Sequence, residues 1–283
     1  AIIGFGVIGV ESLHKITEKI NKSKQFNIAV IEKDLKNIPG GVAYSKLNSK
    51  FGFFNNPLRL SHPSFKSWIN NKENIYKIIN FINKNPSFRL KNWLSINNKN
   101  LLKKKVPEEI YLPRLVYSFY LEDKILEILK NKIKKKIKIS FYQGNLGKIK
   151  FEKKKLTLKT KNYFKIFNIN TKKNFIFIKK KNQKIKFLEC KKMILGNGLL
   201  PPKKIKVIDQ SLNKNYIWDF YSEGGTNNLL QKIKKFKNKD KKITITFIGN
   251  KAGLLETMQE IERLILMHKV NISIICISKN NQT

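Results

Sequence analysis

Apolar runs and helical patterns alternate at the start of this chain. Ala1-Ile2-Ile3 and Ile28-Ala29-Val30-Ile31 are short continuous apolar runs, as is typical of buried strands in a parallel sheet. Between the two runs, apolar residues recur every three or four positions, as on one face of a helix: Val10, Leu13, Ile16 and Ile20. This order predicts a strand–helix–strand (βαβ) unit.

A second unit of the same kind is predicted near the other end of the chain. Ile243–Ile248 has the pattern of an apolar strand, and Asn271–Ile277 has it again. The segment between them carries apolar residues at helical spacing: Leu254, Met258, Ile261 and Ile265. We therefore expect another βαβ unit, closed by a strand over 272–277.

The central part of the chain combines helices with a polar insertion. A helix is expected from Leu115 to about Asn131, and a shorter one over 64–69. Segment 70–105 is rich in Asn and Lys, and we expect it to form a cap or insertion anchored by Phe88 and Trp93.

Strand patterns follow the central helix. Short alternating runs from 137 to 189 predict an antiparallel β-meander. Lys192–Leu195 predicts one more buried strand, and the Pro201-Pro202 pair after it marks a sharp exit of the chain. We expect the chain to pass from one domain to the next at this proline pair.

A glycine-rich turn joins the first strand to the first helix, Gly4-Phe5-Gly6-Val7-Ile8-Gly9. Gly4 permits a tight turn, Gly6 lets the backbone approach a pyrophosphate, and Gly9 lets the helix pack closely on the strand. The N-terminus of the helix then offers N–H groups to phosphate. Glu32 ends the second strand, where an acid accepts hydrogen bonds from ribose hydroxyls and favours FAD or NAD over NADP. A glycine-rich turn that binds nothing is the alternative, but all four elements agree in order and length with a dinucleotide site.

The formal charge of +40 changes this picture little. Of the 59 basic residues only four are arginine, and the lysines are spread over many stretches of the chain. Lys, Asn and Ile share A/T-rich codons, so compositional drift on a solvated surface explains their excess. A nucleic-acid-binding protein would use more arginine, with aromatic residues interleaved on one face. We expect no specific nucleic-acid partner, while a lysine-rich polyanion-binding protein stays open as an alternative.

The remaining residues give little sign of other chemistry. No pair of the three histidines has metal-ligand spacing and there is no Ser/His/Asp set, so neither a metal site nor hydrolysis is predicted. His62 is expected to cap a loop. Cys190 and Cys276 lie far apart on apolar segments, which predicts buried thiols in a reducing cytoplasm. No apolar stretch approaches the roughly 20 residues of a membrane span, so no membrane partner is expected.

Five sets of residues follow one another along nearly the whole chain: Gly4–Gly9; Gly41-Val42-Ala43-Tyr44-Ser45 with Asn55-Asn56-Pro57; Leu112-Pro113-Arg114; Leu195-Gly196-Asn197-Gly198 with Pro201-Pro202; and Tyr216-Ile217-Trp218-Asp219 ahead of the Gly249 strand. In kind and order they resemble the FAD/NAD(P)-binding flavoproteins related to flavin-containing monooxygenases and to the lysine and ornithine N-hydroxylases. A bacterial branch with a Gly-x-Ala-Tyr-Ser loop is the closer match. The order of the sets is more specific than any single motif.

The resemblance implies an α/β fold with two dinucleotide-binding parts. A Rossmann-like FAD-binding domain would cover 1–205, with an insertion at about 60–110 and the antiparallel β-meander at about 137–189. A second, truncated Rossmann-like NAD(P)-binding unit would cover 206–283. Because the sequence begins inside the first strand and stops shortly after the last one, we expect it to be a fragment.

The resemblance also implies where the cofactors lie. The first βαβ unit would hold the pyrophosphate of FAD, and Glu32 its adenosine ribose. The Gly41–Ser45 loop and Asn55 would follow the ribityl chain or the isoalloxazine, and the strand end at 196–198 would approach FAD again. The second unit would serve NAD(P)H. The candidate cofactor-binding residues are Gly4, Gly6, Val7, Ile8, Gly9, Glu32, Lys33, Gly41, Ala43, Tyr44, Asn55, Arg114, Gly196, Asn197, Gly198, Gly249, Lys251 and Lys279.

The function implied by the resemblance is that of a FAD-dependent oxidoreductase driven by NAD(P)H, with monooxygenation of a small metabolite as the particular reaction. No catalytic residue is assigned, because the flavin supplies the redox chemistry. Lys251 and Leu254 stand where a regular second fingerprint has glycines. A non-catalytic flavin- or nucleotide-binding module, and a reductase or oxidase without a monooxygenase step, therefore stay open. For Arg114, a structural contact and a ligand-facing role are equally open.

Overall fold

A computed structural model gives the fold of this chain. It describes residues 1–20, 25–34, 37–45, 52–84, 87–134, 137–144, 146–152, 155–170, 176–196, 198, 217, 225–235, 242–248, 252–268 and 270–277. In chain order, its strands and helices are β1 (Ile2–Ile3), α1 (Val7–Lys19), β2 (Phe26–Glu32), α2 (Gly41–Tyr44), α3 (Pro63–Ile69), α4 (Lys72–Lys84), α5 (Phe88–Leu101), α6 (Arg114–Lys134), β3 (Ile137–Gln143), β4 (Leu146–Glu152), β5 (Lys155–Asn170), β6 (Ile176–Cys190), β7 (Ile194–Leu195), α7 (Gly225–Lys235), β8 (Ile243–Ile248), α8 (Ala252–His268) and β9 (Ile272–Ile277).

The chain divides into two compact units, and each is made of two separate stretches of sequence. Unit 1 comprises Ala1–Lys46 and Tyr117–Leu200, and unit 2 comprises Leu47–Val116 and Pro201–Thr283. The expected boundary near residue 205 separates the part that would bind FAD from the part that would bind NAD(P), whereas units 1 and 2 are defined by contacts. This expected boundary stays a prediction.

A parallel sheet forms the centre of unit 1, as a Rossmann-like α/β fold requires. β1 lies between β2 and β7, and β2 pairs in turn with β3, all in parallel. Ile3, Ile31 and Tyr142 form one buried cluster across the sheet. The continuous apolar runs of the sequence are therefore explained by strands that are buried within the unit.

The strands after β3 pair antiparallel, and the expected β-meander at about 137–189 stays a prediction. β3 and β4 both pair antiparallel with β5, which pairs on with β6, so sequence neighbours β3 and β4 are not paired with each other. β3 pairs with β2 along its whole length on one edge, and its residues Phe141–Gln143 meet β5 on the other edge. β5 and β6 are also long, with 16 and 15 residues, where short strands were expected.

The expected insertion at about 60–110 forms the helices α3, α4 and α5 of unit 2. Their apolar faces are buried at helical spacing: Ile75, Ile78 and Ile82 on α4, and Leu90, Trp93, Leu94 and Leu101 on α5. The expectation that Phe88 anchors this segment is wrong, because its side chain is 57% exposed. Phe88 precedes Leu90 by two residues and so lies about 200° around the helix from it, on the opposite face.

The second βαβ unit contains the expected elements. β8 and β9 pair in parallel, from Ile243 opposite Ile272 to Ile248 opposite Ile277. Ile233 of α7 and Ile261 of α8 form the buried cluster of this part. Within unit 2, α5 also contacts α8. The hydroxyl of Ser87, which caps α5, donates a buried 3.2 Å hydrogen bond to Glu260 of α8.

The two cysteines are less buried than the sequence suggested. Cys276 is exposed and Cys190 is half-buried, and both are free thiols. Cys190 is the last residue of β6 and Cys276 is next to the last residue of β9, so each lies where a strand leaves its sheet. Cys190 nevertheless packs against the buried cluster of Ile3, Ile31 and Tyr142, whereas Cys276 is exposed.

Candidate dinucleotide-binding site

The first glycine-rich turn connects the end of β1 to the start of α1. Gly4 has a left-handed backbone, with φ of 85°, and its N–H donates a 2.8 Å hydrogen bond to the carbonyl oxygen of Ile31. Gly6 is the N-cap of α1 and provides no side chain to cap it. The first N–H groups of α1 therefore have no capping side chain, as is found where a helix N-terminus binds phosphate.

Gly6 and Gly9 are glycines for different reasons. A Cβ at Gly9 would lie 2.2 Å from the carbonyl oxygen of Gly4, so the fold itself excludes a side chain there. A Cβ at Gly6 would lie no closer than 3.5 Å to other atoms, and Gly6 has an ordinary φ of −75°. The packing of the fold thus tolerates a methyl group at Gly6 and does not itself require glycine at this position.

A second glycine loop lies directly against the first turn. Gly40 has a φ of 100° and forms a parallel bridge with Gly6. A Cβ at Gly41 would lie 3.1 Å from the Cα of Gly6, so the two backbones approach as closely as glycines allow. Gly41 also begins the single-turn helix α2, on which Ala43 is exposed and Tyr44 is half-buried.

Ser45 follows this helix and is buried. Within the part of the chain that the structure describes, its hydroxyl has no hydrogen-bond partner. Buried hydroxyl groups in proteins usually have a hydrogen-bond partner.

A third glycine meets the first turn at the end of β7. The N–H of Gly196 donates a 2.7 Å hydrogen bond to the carbonyl oxygen of Ile3. A Cβ at Gly196 would lie 3.4 Å from the carbonyl oxygen of Gly4 and 3.4 Å from the nitrogen of Gly9. Gly198 is exposed, and Asn197 lies outside the described residues.

Glu32 connects the end of β2 to the first turn. Its Oε2 accepts a 2.7 Å hydrogen bond from the N–H of Phe5, and its Oε1 accepts one of 3.2 Å from the N–H of Asp34. Burial raises the pKa of Glu32, although the backbone N–H groups of Phe5, Asp34 and Lys33 oppose this shift. Each carboxylate oxygen keeps a second lone pair, which a ribose hydroxyl could use.

Three tyrosines form a row between α2 and α6. The ring centroids of Tyr44 and Tyr117 are 5.1 Å apart, and those of Tyr117 and Tyr120 are 5.2 Å apart. Burial, reinforced by Glu11, Tyr120 and Tyr44, raises the pKa of Tyr117 above its usual value. The hydroxyl of Tyr117 therefore stays protonated at neutral pH.

In unit 2, Arg114 holds the segment that contains Asn55. Its Nε donates a 2.9 Å hydrogen bond to the carbonyl oxygen of Phe53, and its Nη2 donates one of 3.4 Å to Oδ1 of Asn55. The N–H of Arg114 also donates to the carbonyl oxygen of Gly52 at 2.9 Å. Arg114 thus makes a structural contact, and a ligand-facing role for it stays a prediction.

The structure brings only some of the expected residues together. Three glycine segments of unit 1 and Glu32 meet around the first turn, whereas Lys33 and Ile8 are exposed beside it. Gly249, Lys251 and Lys279 lie outside the described residues. Gly40 also lies here and is not among the candidate cofactor-binding residues, although the adjacent glycines after Pro39 predict a close backbone approach.

The other polar residues play local roles. His62 caps α3, since its Nδ1 accepts a hydrogen bond of 3.2 Å from the N–H of Ser64, which confirms the expected capping. Across the described ranges, no three His, Cys, Asp or Glu side chains gather as metal ligands do. None of the described helices combines the length and the apolar character that crossing a membrane requires.

Comparison with known proteins agrees with this geometry. The family model described as FAD-NAD(P)-binding matches residues 1–166, more than half of the 283 residues. Among curated proteins, no relative of this chain was found. The matched segment contains the first glycine turn, Glu32 and the Gly40–Gly41 loop. This chain therefore belongs to the FAD-NAD(P)-binding family, with FAD and NAD(P) as its cofactors and a flavin-dependent, oxidoreductase-like role.

Proposed function

We propose that unit 1 binds FAD with the pyrophosphate at the first glycine turn and the N-terminus of α1. The contrast between Gly6 and Gly9 carries this proposal, because only Gly9 is required by the fold. The uncapped N–H groups of α1 and the close approach of Gly41 support the same placement. The residues present therefore fit a dinucleotide.

Glu32 is the residue we assign to the adenosine ribose. Its carboxylate is held in place by two backbone N–H groups, so it would not need to reorganise when a ribose hydroxyl binds. An acid at this position also disfavours a 2′-phosphate, which is why FAD rather than NADP is proposed here. Lys33, Val7 and Ile8 are proposed as neighbours of this part of the cofactor.

The remaining contacts of FAD are assigned on the resemblance to the flavoprotein family. Gly41, Ala43 and Tyr44 are proposed to lie along the ribityl chain or the isoalloxazine, and so is Asn55. A further approach of the backbone to FAD is proposed for the strand end at Gly196, Asn197 and Gly198. Arg114 is proposed to keep Asn55 in place through its contact with Phe53.

The second nucleotide is assigned to β8, α8 and β9 of unit 2. We propose that this parallel strand–helix–strand segment takes NAD(P)H, with Gly249, Lys251 and Lys279 at its cofactor. The pairing of β8 with β9 supports the assignment, since such units hold dinucleotides at the ends of their strands. A lysine at 251 would attract phosphate as a point charge.

The proposed activity is a NAD(P)H-driven oxidoreductase that acts as a monooxygenase on a small metabolite. Bound FAD would supply the two-electron redox chemistry. The residues of this chain would bind and orient the dinucleotide and exclude water from the site. The monooxygenase step rests on the resemblance to flavin-containing monooxygenases and N-hydroxylases.

An absorption spectrum of the purified chain tests this function most directly. We expect visible flavin bands that bleach when NADPH is added without oxygen. Flavin that does not bleach would favour the alternative of a non-catalytic flavin-binding module. If no flavin binds even after incubation with FAD, and the protein is retained on heparin in a salt-sensitive way, polyanion binding is the better explanation.

A further inference from the structure

Lys124 differs from the other lysines of this chain. Among the described residues it is the lysine with a buried side chain, 8% exposed, in a sequence whose lysines otherwise suggest a solvated surface. Its Nζ lies 2.6 Å from Oε2 of Glu11 and 4.9 Å from the centre of the Tyr120 ring. The hydroxyl of Tyr120 also reaches Oε1 of Glu11, at 3.5 Å. Glu11 and Lys124 thus form a defined ion pair, with Tyr120 fixing both partners.

This pair joins α6 to the helix that carries the proposed pyrophosphate site. Three residues further along both helices, His14 of α1 lies 3.4 Å from Glu127 of α6. Because the contacts advance together, α1 and α6 run in the same direction side by side. Glu11 is four residues after Val7, the first residue of α1, so it lies about 6 Å along the helix axis from that end.

A carboxylate in this place would disfavour an anion at the N-terminus of α1. The first turn of α1 contains no acid, so Glu11 is the first negative charge along the helix. Its side chain is only 25% exposed, and water screens partly buried charges weakly. Without a partner, Glu11 would repel the two negative charges of a pyrophosphate.

Lys124 supplies the opposite charge. Burial lowers the pKa of Lys124, but the hydrogen bonds to Glu11 and Tyr120 and the charge of Glu11 outweigh burial and raise it overall. The lysine therefore stays protonated at neutral pH, and the pair as a whole is neutral.

We propose that Lys124 is the counter-charge of Glu11 and keeps the N-terminus of α1 favourable for the pyrophosphate of FAD. Lys124 is thus a positioning residue that acts through Glu11 and needs no contact with the cofactor. This inference rests on the proposed placement of FAD in unit 1.

The test measures FAD affinity by fluorescence titration for four forms of the full chain: wild type, K124M, E11Q and E11Q/K124M. At low salt, K124M should weaken FAD binding about tenfold, because Glu11 is left uncompensated. E11Q should strengthen it about threefold, because the positive charge of Lys124 remains. The double variant should bind FAD within about twofold of wild type, because it removes both charges.

Thermal unfolding of the same variants separates charge from packing. Both single variants lose the ion pair, so both should melt at a lower temperature than wild type. A purely structural pair would then weaken FAD binding in both single variants, whereas the proposal requires opposite changes in affinity. E127Q is the matched control, because it removes the negative charge of the neighbouring contact between α1 and α6 and should leave FAD affinity unchanged.

Several outcomes would overturn the proposal. It is wrong if E11Q fails to strengthen FAD binding, and this variant decides the matter even if K124M does not fold. It is also wrong if the double variant binds FAD as weakly as K124M, since packing rather than charge would then be responsible. A wild-type chain that binds no FAD would refute the proposed function itself, and this is seen before any variant is compared.

Discussion

The N–H of Phe5 donates a 2.7 Å hydrogen bond to Oε2 of Glu32. This contact joins the first glycine turn, where we place the pyrophosphate, to the acid that we assign to the ribose. The same carboxylate accepts a hydrogen bond from the N–H of Asp34, just after β2. It therefore ties the glycine turn to the end of β2, and a shift of either segment would disturb the other. The proposed adenosine half of the site is therefore held together before any cofactor binds.

Gly6→Ala should lower FAD affinity at least tenfold without changing the melting temperature. The new methyl group would keep 3.5 Å from the backbone of Gly41 in the fold, but it would narrow the backbone approach that we propose for the pyrophosphate. FAD titration and thermal unfolding of the same preparation measure the two effects. Unchanged FAD affinity would remove Gly6 from the site.

Gly9→Ala provides the contrast to this variant. Its methyl group would lie 2.2 Å from the carbonyl oxygen of Gly4, so the helix or the strand has to move. We expect the free energy of unfolding to fall by about 1–3 kcal/mol, as in other overpacked sites. Urea denaturation measures this loss, and equal stability of Gly6→Ala and Gly9→Ala would contradict the distinction drawn between the two glycines.

Glu32→Ala should weaken FAD binding by about 1.5–3 kcal/mol, the usual range for hydrogen bonds to a charged group. Isothermal titration with FAD measures the change. Glu18→Ala is a suitable control, because it removes an exposed carboxylate from α1, away from the glycine turn. If both variants bind FAD equally well, Glu32 does not contact the ribose.

Glu32 should also make stability depend on pH in the absence of cofactor. Burial raises its pKa above the ordinary 4.5. A group with a raised pKa stabilises the fold below its unfolded pKa, and this contribution is lost as the pH rises through the folded pKa. The free energy of unfolding of wild type relative to Glu32→Gln should therefore decrease above about pH 4.5. Urea denaturation of both proteins across this range is the measurement, and a difference that is independent of pH would rule out the shift.

Arg114→Lys should lower the free energy of unfolding by about 1–2 kcal/mol, because a lysine cannot reproduce the bond from Nε to the carbonyl oxygen of Phe53. Arg59→Lys is the control, since its ion pair with Glu109 is exposed and should contribute less than about 1 kcal/mol. Chemical denaturation compares the two variants. Weaker FAD binding by Arg114→Lys at unchanged stability would instead favour a ligand-facing role.

Local patterns were sufficient to predict the elements around the site. The apolar run before Gly4 and the helical spacing after Gly9 depend on neighbours in sequence, and the structure has β1 and α1 in these places. The second strand ends on Glu32, as its apolar pattern indicated. Periodicity determines such elements because it decides which face of a segment can be buried.

Contacts between distant segments could not be predicted in this way. The bridge between Gly6 and Gly40, the pair of Glu11 with Lys124, and the pairing of β3 with both β2 and β5 each join segments that are far apart in sequence. The exposure of Phe88 has a related cause, since hydrophobicity alone does not show which face of α5 a residue occupies. Such features depend on register and topology, which composition does not encode.

The position of β1 between β2 and β7 has a consequence for synthesis on the ribosome. The ribosome makes Ile2 and Ile3 well before their partners Ile194 and Leu195, which lie far along the chain. Until then, one edge of an apolar strand has unpaired backbone groups, which is a risk for misassembly with other chains. Unit 1 can thus complete its sheet only after β7 has been synthesised.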